Sequence, residues 1–176
     1  MQKIIVLDRD GVINHDSDAF IKSAEEWRPI EGSLEAIERL KSAGWKVAVA
    51  TNQSGIKRGY YDRATLSAMH QKMQSLLNQV SVDWIAYSPY LGDDHSPARK
   101  PKPGMLQSIE KALNVSLAGQ PMVGDTLGDI QAALAMQMQP YLVKTGKGGR
   151  TLASHDPLLA AIPVYKDLAS LVEDLL

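Results

Sequence analysis

Apolar positions along this chain follow two rhythms. Short continuous runs occur at residues 3–7 (KIIVL), 46–50 (KVAVA), 83–87 (DWIAY), 121–123 (PMV) and 141–143 (YLV). Such runs, bounded by turn residues, read as buried strands. Between them apolar residues recur at spacings of three and four, the signature of amphipathic helices. Ser33 is placed to cap a helix running to residue 42, with Leu34, Ile37 and Leu40 inward and Gly44 just past its end. Asp62 is placed to cap a second, with Leu66, Met69, Met73 and Leu76 inward. Pro103 suits the first turn of a third, carrying Leu106, Ile109 and Leu113. Residues 127–136 and 168–175 supply two more. These stripes read as core and receive no functional role.

Strand–helix alternation predicts a Rossmann-like three-layer α/β/α fold with a mainly parallel central sheet. At 176 residues the chain is expected to be one domain, 1–176, with no segment long enough for a separate cap domain. Its 44% hydrophobic and 22% charged residues are those of a globular protein. The formal net charge of −1 argues against a nucleic-acid partner. No apolar stretch approaches a membrane span, and the first residues lack the pattern of a secretory signal. A cytoplasmic monomer with a small-molecule substrate is the expectation. With no cysteine there is neither a disulfide nor a thiolate metal site.

Ligands of parallel α/β sheets bind beyond the carboxyl ends of the strands. The residues just past each strand therefore matter most. The first run leads into Asp8-Arg9-Asp10-Gly11-Val12. Read alone this is equally a polar turn. Yet two acids converging at a strand end repel unless a cation or proton lies between them. They suit a hard, oxygen-ligated ion such as Mg²⁺, and they offer one nucleophile and one acid–base group. The second run leads into Thr51-Asn52-Gln53-Ser54-Gly55, a set of short donors fit for phosphate, though read alone it is more often an ordinary polar loop. After the third comes the proline-stiffened basic segment Arg99-Lys100-Pro101-Lys102-Pro103-Gly104. After the fourth come Gly124-Asp125-Thr126-Leu127-Gly128-Asp129, where Asp125 can complete a metal site. Asp129 can brace it or simply favour a helix start. Together the four clusters hold the inventory of phosphoryl transfer.

These four motifs, in this order across residues 4–129, resemble the haloacid-dehalogenase superfamily of phosphatases. In detail, Asp8 to Asn14, Thr51 to Ile56 and Arg99 to Met105 resemble the branch that hydrolyses the 7-phosphate of D-glycero-D-manno-heptose 1,7-bisphosphate. That branch serves nucleotide-activated heptose biosynthesis for surface polysaccharide, and it also includes histidinol-phosphate phosphatases. The resemblance implies that Asp8 attacks phosphorus and becomes an aspartyl-phosphate, with Asp10 as general acid and base. It implies Mg²⁺ held by Asp8, Asp125 and the Asp10 backbone carbonyl. Thr51 and Lys100 would meet the transferred phosphoryl group. Asp16, Asn52, Gln53, Ser54 and Arg99 would complete the substrate site for a phosphosugar.

Two features depart from the branch. Its zinc-binding Cys/His loop corresponds here to residues 88–98, without cysteine and with one histidine, His95. No zinc is expected, and the loop is expected to be held by packing and hydrogen bonds. Thr126 stands where some relatives carry lysine. His15 is either solvated or substrate-facing, and His70, His95 and His155 form no motif. Gly146-Lys147-Gly148-Gly149-Arg150 reads as a mobile loop, or as a contact for a distal phosphate. Histidinol-phosphatase or another small phosphomonoesterase is the alternative activity. A non-catalytic phosphosugar-binding module is the alternative of another class, disfavoured because Asp8, Asp10, Thr51, Lys100 and Asp125 are all present.

Overall fold

The computed structural model describes all residues, Met1–Leu176. Its centre is a sheet of six parallel strands, β1 (Ile4–Leu7), β2 (Lys46–Asn52), β3 (Trp84–Ser88), β4 (Pro121–Gly124), β5 (Gln139–Val143) and β6 (Val164–Tyr165). Their spatial order is β3-β2-β1-β4-β5-β6. Six helices accompany them: α1 (Ser33–Ser42), α2 (Arg63–Leu76), α3 (Gly104–Leu113), α4 (Leu127–Ala135), α5 (Gly148–Ala153) and α6 (Leu168–Leu175).

Each central strand is apolar on both faces because both faces are covered. Ile5, Leu7, Val47 and Val49 face the layer of α1, α2 and α6. Ile4, Val6, Ala48 and Ala50 alternate to the layer of α3 and α4. Strand order reverses direction between β1 and β4, the position where such sheets open a crevice. Asp8, one residue beyond β1, donates its backbone N–H to Val123 O of β4 at 2.9 Å. Both motif ends therefore meet at the switch point. The connection from β1 to α1 contains no helix or regular strand, only isolated bridges at Asp10, Asn14 and Pro29.

Several local expectations shift. Gly32, in the left-handed region at φ 85°, precedes α1 in place of Ser33. Ser33 is the first helical residue, buried, and its hydroxyl donates to Val12 O at 2.8 Å. Its hydroxyl is thus turned to the β1 loop and makes no capping bond to its own helix. Asp62 does cap α2, accepting from Thr65 N at 2.8 Å, but Leu76 is exposed because the last turn outruns the core. Pro103 sits just before α3, not within its first turn. The glycine-rich stretch after β5 enters helix α5 and is closely packed at Gly146 and Gly148. A Cβ at Gly148 would overlap Val143 O. No helix is long and apolar enough to cross a membrane.

Candidate active site

Strand ends set out the centre. Lys100 is buried, and its ammonium donates to Asp8 Oδ1 at 3.0 Å, Ala50 O at 2.7 Å and Asp129 Oδ1 at 2.6 Å. Three acceptors saturate three donors. Burial alone would lower the Lys100 pKa, but the Asp129 and Asp8 carboxylates outweigh it and push it up. The Lys100 backbone is fixed too. Asn52 Oδ1 accepts from its N–H and Asn52 Nδ2 donates to its carbonyl, both at 3.1 Å. Asn52 thus clasps the basic segment to the end of β2.

Asp129 braces this arrangement. Its Oδ2 accepts from the Asp125 and Thr126 backbone N–H groups, at 3.2 and 3.1 Å, and from the Thr126 hydroxyl at 2.9 Å. Thr126 is the N-cap of α4. Both Asp129 oxygens are engaged, so it is a poor metal ligand despite lying among the acids. Oxygens of Asp8, Asp125 and Asp129 fall within 4.8 Å of one another.

Asp8 and Asp125 differ from Asp129. Burial, then the neighbouring acids, holds the Asp8 carboxyl well above the usual range. Burial and then Asp129 push Asp125 up to about 7. Asp125 Oδ2 accepts from Lys147 N at 2.8 Å, while its Oδ1 is buried without a partner. Two crowded carboxylates and one orphaned oxygen fit a hard divalent cation. The backbone presses on the same group. A Cβ at Gly11 or at Gly146 would overlap Asp125 Oδ2, and both residues have positive φ. Gly146→Ala is therefore expected to lose roughly 1–2 kcal/mol from the left-handed backbone alone. That corresponds to a fall of at least about 2 °C in Tm. An unchanged melting curve would refute this packing.

Asp10 lies across the centre, a quarter exposed. Burial would raise its pKa, but Arg9, Asn14 and Gln53 overcome that and hold it below the usual carboxylate value. Thr51 is buried at the end of β2, its hydroxyl accepting from Gln53 Nε2 at 2.9 Å.

A pocket of about 400 Å³ opens above these groups. Its walls include Asp8, Asp10, Asp16, Asn52, Gln53, Ser54, Arg99, Lys100 and Asp125, though not Thr51. Four wall residues, Ser17, Asp18, Phe20 and Ile21, belong to no motif read from the sequence, whereas Lys147 comes from the glycine-rich stretch read as a mobile loop or a distal-phosphate contact. Phe20 holds a left-handed φ of 66°, packs edge-on against Tyr60 at 5.2 Å and lies beneath Arg58. Lys147 Nζ is 3.6 Å from Asp16, and Arg150 bridges to Asp18 at the surface. No periodicity or motif signals Phe20; tertiary contact alone brings it to the wall.

Residues 88–98 are held by hydrogen bonds. Arg99 Nη1 donates to Tyr90 O at 3.1 Å, Lys102 Nζ to His95 O at 2.9 Å and Gly104 N to Pro97 O at 2.8 Å.

The switch-point crevice with its acid pair, buried lysine and cation-fitting aspartates defines a phosphatase of the haloacid-dehalogenase class. A family model described as polynucleotide kinase 3 phosphatase matches residues 3–148. The D-glycero-β-D-manno-heptose-1,7-bisphosphate 7-phosphatase of Pseudomonas putida is 52% identical over 176 residues, covering 99% of both chains. Its namesake from Pseudomonas aeruginosa is also 52% identical, over 99% of this chain and 98% of its own. The crystal structure of D,D-heptose 1,7-bisphosphate phosphatase from B. bronchiseptica, complexed with magnesium and phosphate, superposes with a TM-score of 0.94. It is 50% identical and the match covers 99% of this chain and 98% of that one. The chain belongs to this family of heptose-bisphosphate phosphatases.

Proposed function

We propose that this chain, acting as one cytoplasmic domain and as a monomer, removes the 7-phosphate of D-glycero-β-D-manno-heptose 1,7-bisphosphate. The product serves nucleotide-activated heptose synthesis for surface polysaccharide. The observation that carries the reading is the meeting of Asp8, Asp10, Lys100 and Asp125 at the β1–β4 switch point. Full-length likeness to relatives named for that substrate, with the β anomer specified, supports its choice.

Asp8 attacks phosphorus and the phosphorus–oxygen bond to the sugar breaks. Asp10, ionised in the free site, takes up a proton as the negatively charged phosphate ester enters beside it and gives that proton to the departing oxygen. The resulting Asp10 carboxylate then takes a proton from water as that water attacks the aspartyl-phosphate, freeing Asp8 and inorganic phosphate. Lys100 keeps the Asp8 carboxylate in place and offsets charge on the transferring group. Asp8, Asp125 and the Asp10 carbonyl would hold Mg²⁺, which when bound offsets the repulsion between carboxylate and phosphate. Asn52, Gln53 and Ser54 line the phosphate end, and Thr51, buried behind them, would meet the transferred phosphoryl group through its hydroxyl. Arg99 and Asp16 meet the remainder of the sugar bisphosphate.

Phosphate release from both heptose bisphosphate anomers and from histidinol phosphate tests the assignment. The β anomer is expected to give the highest kcat/KM. Preference for histidinol phosphate would replace the substrate, and no turnover of any would leave only a binding module. Zinc is expected to be far below stoichiometric in untagged protein, since the 88–98 loop offers one imidazole and no thiolate. Near-stoichiometric zinc surviving gel filtration would overturn that.

A further inference from the structure

Arg9, the residue between the two aspartates of the first motif, is wholly buried and has no task in the steps of the reaction. Its guanidinium turns back onto Asp10. Nε and Nη2 donate to the same oxygen, Oδ1, at 2.9 and 2.7 Å. Asn14 Nδ2 also donates to Oδ1, at 2.9 Å. Arg9 Nη1 points the other way, into α2, 3.6 Å from Met69 Sδ and 3.3 Å from His70 Nε2. The other carboxylate oxygen, Oδ2, has one donor, Gln53 Nε2 at 3.1 Å. Gln53 is itself oriented by the Tyr61 hydroxyl, which donates to its Oε1.

This asymmetry has a chemical meaning. A guanidinium fork laid across both carboxylate oxygens would tie up the two alike. Here three donors crowd Oδ1 and fill its two lone pairs, while Oδ2 keeps an acceptor site open. A group that must give a proton and later take one needs a free oxygen held in a fixed direction. Displacement by about 1 Å can reduce a rate about 10²-fold. We propose that Arg9 is a positioning residue for the reaction: anchored to α2 through His70 and Met69, it saturates Oδ1 of Asp10 and leaves Oδ2 to carry the proton. The proposal rests on the acid–base role assigned to Asp10.

The test is a double-mutant cycle of Arg9→Met, which keeps an unbranched apolar stem, with Asp10→Asn, run alongside Arg9→Lys. Thermal melts establish that each variant is folded. Arg9→Met is expected to lower kcat roughly 10–100-fold with KM within about 2-fold, because the substrate does not touch Arg9. Arg9→Lys, which keeps the charge and part of the bonding, is expected to recover part of the loss. In the Asp10→Asn background Arg9→Met is expected to cost less than about 2-fold further, since the group it positions is gone. The same loss in both backgrounds, a change confined to KM, or full activity of Arg9→Met would overturn the proposal. If only Arg9→Met fails to fold, Arg9→Lys takes its place in the cycle. Failure of both would mark Arg9 as purely structural and overturn it as well. Near-native turnover by Asp10→Asn alone would instead remove the role of Asp10, an outcome read separately from either Arg9 variant.

Discussion

Asp8→Asn is expected to lose turnover by about 10⁴-fold or more while remaining folded, because an amide cannot form the acyl-phosphate. The same change is expected to leave metal-free stability intact or improve it. Asp8 is buried beside Asp129, Asp125 and Asp10, and its ionised form is disfavoured in the fold. A carboxyl whose pKa is higher folded than unfolded subtracts stability once the pH exceeds its unfolded value. The neutral amide removes that cost, and Lys100 keeps Asp129 and Ala50 O as acceptors. Phosphate release and a thermal melt in chelator at pH 7.5 check both halves. Near-native turnover would refute the nucleophile. A large drop in Tm would show that the Asp8–Lys100 pair outweighs the repulsion.

Removal of divalent metal is expected to abolish activity, and added Mg²⁺ to restore it. Asp125→Ala is expected to lose activity sharply at any practical Mg²⁺ concentration, through loss of an anionic ligand. Asp125 also gives the metal effect a pH dependence. Its pKa is pushed up to about 7, so between the ordinary carboxylate value near 3.8 and about 7 the folded state binds more protons than the unfolded. The contribution of Asp125 to metal-free stability therefore falls as pH rises through that window. A bound cation favours the deprotonated form and reverses the trend. Mg²⁺ at about 100 times its Kd contributes ~2.7 kcal/mol, or roughly 5–10 °C in Tm. The shift is expected to be larger at pH 8 than at pH 5.5. Full activity in chelator, or an equal shift at both pH values, would contradict the assignment.

Much of this site is legible in the sequence for a physical reason. A parallel sheet gathers all its strand ends on one edge, so residues just past separate apolar runs must converge. Asp8, Asp10, Lys100 and Asp125 are found that way. The hidden part depends on contacts no period records. Arg9 looks like a solvated turn residue until its side chain is seen folded back under α2. The Asp129 choice between bracing and capping is not a choice, since one oxygen caps α4 and the other takes Lys100. Strand β6 is two residues long at the sheet edge, too short for any pattern. Helix α5 begins at paired glycines, poor helix formers; at the first, Gly148, the lack of a side chain is required by Val143 and not by mobility.

The irregular connection between β1 and α1 supplies Asp16, Ser17, Asp18, Phe20 and Ile21 to the pocket wall, while the reacting groups sit on strand ends. Chemistry and choice of substrate are thereby written in separable stretches of the chain. A lineage selected for a different phosphate ester can vary residues 16–21 while keeping Asp8, Asp10 and Asn14 at the start of the same connection, and so inherit the reaction unchanged. Its accepted substitutions should gather at residues 16–21, leaving Gly11 and Gly146, which no side chain can replace without striking Asp125, silent throughout.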